Sequence, residues 1–270
     1  MSYGPKEFDV DIPSAARAYD YFLGGAHNFA VDRAFADQVL TIAPSVPQVT
    51  RLNRSFLQRA VRFQLDQGIR QFLDLGSGIP TVGNVHEIAQ QRVPDARVVY
   101  VDYEPVAYKY AKTLLEGNPH ATIIQADVRD VAAVLEHPET RALLDFSQPI
   151  GLLIVGLLLF IGPQDRPEEL VAAYRSQLAP GSYLTISHIA DEHADPELRA
   201  QVARLVAAYA QANEHVYVRT RDEIGAWFQG LELVEPGVAF LPDWRPDSAD
   251  EAGDVARPLG YGAVARVPVP

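Results

Sequence analysis

The 270-residue sequence predicts a doubly wound α/β fold, and three observations carry that expectation. Short apolar runs alternate with segments of helical character, which calls for right-handed βαβ units and a mostly parallel sheet covered on both faces. The early runs are apolar almost without interruption, as strands buried on both faces require. The first of them, in "FLDLGSGIP" at 72–80, stops at an acid and two glycines one residue apart, the kind of turn at which such sheets hold ligands.

Residues 1–68 precede the sheet and have a different texture. "ARAYDYFLGGAHNFAVDR" is dense in aromatics, glycines and hydrogen-bonding side chains, and Leu52, Phe56, Ala60 and Phe63 fall on one stripe of an amphipathic helix. This stretch reads as a helical cap over the ligand edge, with Gly24 and Gly25 closing a helix. Residues 69–270 read as one compact unit. Strands are expected at 71–75, 96–102, 122–126, 150–158, 182–188, 231–234 and 261–267, and helices at 84–91, 105–115, 167–178, 196–213 and 221–228. Thr220 and Glu223 stand in capping-box spacing at the head of the last helix. The helix at 196–213 reads as an insertion on the substrate side, with Leu198, Val202, Leu205, Val206 and Tyr209 as core contacts. "LELVEPGVAFLPDW" and "LGYGAVARV" have no helical pattern between them and form an antiparallel pair at the sheet's end.

Composition removes several classes. Without cysteine there are no disulfides, thiolate metal sites or cysteine nucleophiles. With 35 acidic against 23 basic residues the net charge is -12, which repels a polyanionic backbone and disfavours nucleic acid. The longest apolar stretch, 150–162, is shorter than the ~20 residues a bilayer requires, and the N-terminus has no apolar signal region. No membrane association and a cytoplasmic location are expected, with a homodimer left open.

The glycine turn defines the ligand. Gly76 and Gly78 let backbone approach a bound molecule where a Cβ would intrude. A dinucleotide fingerprint would place a third glycine at position 81, which is Thr81. Asp74 repels a pyrophosphate and suits a cationic group. Asp102 ends the second strand, where a carboxylate accepts from ribose hydroxyls, and Asp127 ends the third, placed to meet an adenine amino group. An ammonium, a ribose and an adenine together describe S-adenosylmethionine.

"FLDLGSG", "VVYVDYEP", "IIQADV" and "APGSYLTISH" resemble the successive motifs of class I S-adenosylmethionine-dependent methyltransferases from about residue 71 onward. The N-terminal "ARAYDYFLGGAHNFAVDR" with "GSGIPTVGNVHE" resembles, more narrowly, an actinobacterial family of S-adenosyl methyltransferases. The resemblance implies a Rossmann-like sheet of seven strands, the last antiparallel. It also implies S-adenosyl-L-methionine as co-substrate, bound by Gly76, Ser77, Gly78, Asp102, Tyr103 and Asp127, with Val128 and Gly156 on the adenine and methyl-side walls. In that narrower family the glycine loop is likewise closed by Pro-Thr, so Pro80 is expected to start the next helix early. One position departs from the family: Leu159 stands where relatives often carry a histidine.

Further candidates come from the cap and the fifth strand. Arg17 is a candidate for the donor's carboxylate, and Tyr19, Tyr21, His27 and Asn28 are candidate contacts to donor or acceptor. His188, ending the fifth strand, is a candidate general base. "HIADEH" matches no common metal-ligand spacing, so no metal is expected. Tyr108 and Lys112 have reductase spacing but come too early in the chain for that role. No Asn/Asp-Pro-Pro-Tyr motif follows the fourth strand, and the aromatic cap points to a small organic acceptor in an enclosed pocket. The competing readings are an NAD(P)-dependent reductase and a non-catalytic S-adenosylmethionine-binding protein.

Overall fold

The structure is a computed structural model that describes residues 11–80, 83–247 and 253–269. Eight strands form one sheet in the order β3-β2-β1-β4-β5-β8-β6, with β7 also pairing β8. They are β1 Gln71–Leu75, β2 Arg97–Asp102, β3 Ala121–Gln125, β4 Gly151–Val155, β5 Tyr183–Ile189, β6 Glu232–Leu233, β7 Ala239–Phe240 and β8 Gly260–Arg266. The first five are parallel and β8 is antiparallel to its neighbours. Strand order reverses between β1 and β4, so the carboxyl ends of those two strands flank the crevice where such sheets bind ligands.

Successive residues of each strand enter opposite layers, as a pleated strand must present them. Leu73, Val99, Ile124, Leu152 and Leu184 pack in one core cluster. Phe72, Val98, Ile123 and Leu153 pack in the other, against Leu52, Phe56, Leu57 and Ala60 of helix α3 Val46–Asp66. The stripe read from the sequence is therefore the sheet-facing side of α3. A third cluster joins α1 Ala15–Phe22, α2 Ala30–Ile42 and the long α9 Pro196–Gln211 through Ala18, Phe22, Val39, Leu205 and Tyr209. This cluster makes the cap. At the end of α1, Gly24 N donates to Tyr21 O and Gly25 N to Asp20 O, the glycine closure expected there.

Several expectations are corrected. The fourth strand, expected over 150–158, stops at Val155, because Gly156 turns the chain into a 3-10 turn at Leu158–Phe160. The terminal antiparallel region holds two short strands, β6 and β7, where one was expected. Pro80 does not begin a helix: α4 Val85–Arg92 starts five residues later, with Asn84 as N-cap and Glu87 accepting from the Asn84 amide at 2.8 Å. Thr81 lies outside the described residues. Two short helices, α6 Val131–Leu135 and α7 Pro138–Leu143, precede β4 where none was read, each too brief to show a helical period. Helix α5 Pro105–Leu114 follows β2 and α8 Pro167–Arg175 follows β4, close to expectation. The Thr220–Glu223 box caps α10 Arg221–Ala226, Glu223 Oε2 accepting from Thr220 N at 2.7 Å.

Candidate active site

At the end of β1 the chain takes φ of +68° at Gly76 and +64° at Gly78, a region costly to any residue with a side chain. A Cβ on Gly78 would meet nothing within 4 Å, so the turn faces open space. The end of β2 fixes it: Gly76 N and Ser77 N both donate to Val101 O, at 2.8 and 3.1 Å. Asp102 completes the tie, its Oδ2 accepting from Gly78 N at 2.7 Å and its Oδ1 from Glu104 N at 2.9 Å.

Two buried carboxylates stand at adjacent strand ends. Burial pushes Asp74 up to about 7, with Arg54 pulling down and Asp102 pushing further up. Burial likewise raises Asp102 to about 6, against the backbone hydrogen bonds from Glu104 and Gly78. The Asp74 carboxylate has no hydrogen-bond partner among the described residues, and neither does the buried Ser77 Oγ. A carboxylate that finds no partner when buried is primed for a cation. Asp127 differs, because Arg129 grips it through Nε at 3.0 Å and Nη2 at 2.6 Å.

These groups line a cleft of about 1310 Å³, including its part open to solvent, at the carboxyl edge of the sheet. Tyr19, Gly76, Ser77, Gly78, Asp102, Tyr103, Asp127, Val128 and Gly156, named from the sequence, all line it. Asn53, Arg54, Arg129, Phe160, Tyr209 and Glu214 line it as well and were not read as site residues. For Asn53 and Arg54 a signal existed: they form a polar pair beside the apolar stripe of α3.

Four cap residues point elsewhere. Arg17 is buried and engaged by Asp32 (Nε to Oδ2, 2.7 Å) and Glu104 (Nη1 to Oε1, 2.7 Å), so it joins α1 to α2 and to the loop after β2 and does not reach the cleft. Tyr21 donates to Asp37 at 2.8 Å on the surface. His27 packs on Tyr110 of α5 with ring centroids 3.6 Å apart, and Asn28 donates to Asp20 at 2.9 Å.

His188 is in a second space but is not free to act as a base. Arg219 Nη1 lies 2.8 Å from its Nε2, and because guanidinium only donates, Nε2 accepts. Nδ1 then carries the proton, donated to Ile189 O at 2.8 Å. Burial, reinforced by the Arg219 charge, lowers the imidazole to about 4. Arg219 also donates to Leu158 O at 2.8 Å and Ile161 O at 2.7 Å, so the pair pins the turn after β4.

That second space is a chamber of about 830 Å³, including its open part, between the cap, β5 and α9. Among the described residues, no Asp, Glu, Lys or Arg lines it. Leu159 lies in its wall. It meets the cleft at a neck formed by Tyr19, Asn53, Gly156, Phe160 and Tyr209, which line both spaces. A directed chain of hydrogen bonds crosses the neck. Gly156 N donates to Ser187 Oγ (2.9 Å) and Ser187 Oγ to Asn53 Oδ1 (2.5 Å). Asn53 Nδ2 donates to Tyr19 Oη (3.1 Å) and Tyr19 Oη to Thr50 O (3.2 Å).

Cleft and chamber together have the chemistry of a group-transfer site, and comparison with known proteins agrees. Residues 1–268 match the family described as S-adenosyl methyltransferase. A crystal structure of a candidate methyltransferase from Thermobifida fusca YX is 41% identical, with 97% of each chain covered and a TM-score of 0.90. A DUF574 family protein from Streptomyces avermitilis is 37% identical over 96% of this chain and 100% of its own, again with a TM-score of 0.90. An O-methyltransferase family protein from Burkholderia thailandensis shares the fold at 13% identity and a TM-score of 0.51, with 96% of this chain and 65% of its own covered. A search of curated proteins finds no match. The residues present fit the donor, since Asp74 offers an unpartnered carboxylate, Asp102 retains lone pairs beyond its two amides, and Gly78 opens onto space. Nothing favours the reductase reading, for Lys112 is on the surface and ion-paired with Glu139 at 3.0 Å. The chain belongs to the S-adenosyl methyltransferase family, and it is an S-adenosylmethionine-dependent methyltransferase.

Proposed function

We propose that the enzyme methylates a small organic acceptor held in the chamber beside the donor cleft. The observation that supports this is a chamber lined by no charged side chain among the described residues, which shares Tyr19, Asn53, Gly156, Phe160 and Tyr209 with the cleft as wall. In this reading Asp74 receives the donor's ammonium, Asp102 its ribose hydroxyls, and Tyr103, Asp127 and Val128 surround its adenine. When bound, S-adenosylmethionine supplies an electrophilic methyl on a sulfonium, whose transfer is an in-line displacement that depends on alignment and exclusion of water. The chain's own task is then positioning. Asn53 and Tyr19 are fixed by their hydrogen bonds, Phe160 and Tyr209 wall off solvent at the neck, and His188 with Arg219 holds the turn after β4.

Incubation with methyl-labelled S-adenosylmethionine and a broad panel of small acceptors tests the reading. Label is expected in small molecules. Label found in protein or RNA and in no small molecule would refute it. Calorimetry separates the donor from a nicotinamide cofactor, with heat expected for S-adenosylhomocysteine and none for NADH.

A further inference from the structure

Two hydrogen-bond donors at the neck have no partner among the described residues. Asn53 gives one Nδ2 hydrogen to Tyr19 and receives Ser187 at Oδ1, which leaves its second Nδ2 hydrogen. Tyr209 of α9 is 7% exposed and lines both spaces, yet its hydroxyl makes no hydrogen bond to a described residue. Burial, with Glu214 nearby, pushes this phenol upward, so it remains an O–H donor at neutral pH. Its ring is fixed edge-on to Phe35 at 5.0 Å and tilted against Phe160 at 6.0 Å. The hydroxyl is open to the two spaces it lines, so an entering oxygen can accept its proton without displacing a protein partner.

The rest of the chamber restricts what that atom can belong to. Among the described residues its walls carry no charge, and aromatic rings of Tyr19, Phe22, Phe160 and Tyr209 favour a flat apolar body. The lone pair of His188 is already held by Arg219, so the described walls of the chamber provide no base. The acceptor must shed its proton readily. A phenol does so near pH ~10, far more easily than an aliphatic alcohol.

We propose that Tyr209 and Asn53 receive the reacting oxygen of an uncharged, apolar phenol whose ring system fills the chamber. This rests on the chamber being the acceptor site. The O–CH3 bond forms as the S–CH3 bond breaks, the bonding pair stays on sulfur, and the phenolic proton leaves to solvent. The proton leaves through the open part of the chamber before transfer, so two of the phenolate oxygen's three lone pairs accept from Tyr209 and Asn53 and the third attacks the methyl.

The test is equilibrium binding, in the presence of S-adenosylhomocysteine, of naphthalene, 2-naphthol and 2-naphthoate to the full chain and to Tyr209→Phe. Naphthol is expected to bind best, and naphthoate at least about tenfold weaker because no cation meets its carboxylate. Tyr209→Phe should weaken naphthol about three- to tenfold, the loss of one hydrogen bond, and leave naphthalene unchanged. A purely structural role for Tyr209 would shift both ligands alike. Equal shifts, no shift, or naphthoate binding as tightly as naphthol overturns the phenol assignment alone. Failure of all three compounds to bind overturns the chamber as an acceptor site and the assignment with it.

Discussion

Asp74 and Asp102 show how one residue's environment sets its chemistry. Both are ordinary acids in sequence, and burial lifts them to about 7 and about 6. A cation bound at Asp74 favours the ionised form and pulls its pKa down, so binding releases a proton wherever the free site holds one. With the donor's ammonium at Asp74, as proposed, affinity is expected to be complete well above pH 7 and to decline as pH falls through 7, with Asp102 adding to the decline near 6. Calorimetry with S-adenosylhomocysteine should show about tenfold weaker binding at pH 6 than at pH 8, and Asp74→Asn should flatten that dependence and bind weakly throughout. His188 carries the opposite lesson. A histidine at a strand end is a natural candidate base in sequence, but Arg219, 31 residues away, occupies its lone pair. His188→Asn is expected to lose about 1–3 kcal/mol in chemical denaturation, because it disturbs the pairing with Arg219 that holds the turn after β4.

At the scale of elements, α3 serves two sides at once. Leu52, Phe56 and Ala60 bury it against the sheet, and Asn53 and Arg54 face the carboxyl edge. The stripe is legible from spacing alone, whereas the function of the polar pair depends on where the sheet's edge falls along the helix. Helix α1 is joined to its surroundings through Arg17, whose partners Asp32 and Glu104 are both buried. Glu104 also accepts from Ala107 N at 2.7 Å to cap α5, and its own amide holds Asp102. Arg17→Met leaves two buried carboxylates without their cation and should cost about 3–5 kcal/mol by urea denaturation. Because Glu104 N also holds the donor-site acid, the same variant should weaken S-adenosylhomocysteine binding, and Arg17→Lys should restore part of both.

Across the whole molecule, the sheet places its acids and glycines at one edge and α1, α2 and α9 close over that edge with an apolar third cluster. Among the described residues no helix is long and apolar enough to cross a membrane. Ligand binding at such an edge draws on strands from both sides of the switch point and should stabilise the fold as a unit. S-adenosylhomocysteine at one hundred times its Kd is expected to add about 2.7 kcal/mol, read as a rise in Tm of several degrees. NADH at the same concentration should leave Tm where it was.

The sequence by itself determined the mostly parallel sheet and the acids and glycines that stand at its edge. Those features rest on local signals: apolar runs, glycines that need left-handed φ, and acids at strand ends, each written within a few residues. The tertiary structure decided which side chains are engaged and which line the second chamber. Arg17 and His188 look free in one dimension and are engaged by Asp32, Glu104 and Arg219 in three, and Asn53 and Tyr209 become neighbours of one neck only after α3 and α9 pack. A side chain's hydrogen-bonding capacity is read from its type, but whether that capacity is already taken depends on partners that folding brings from distant parts of the chain.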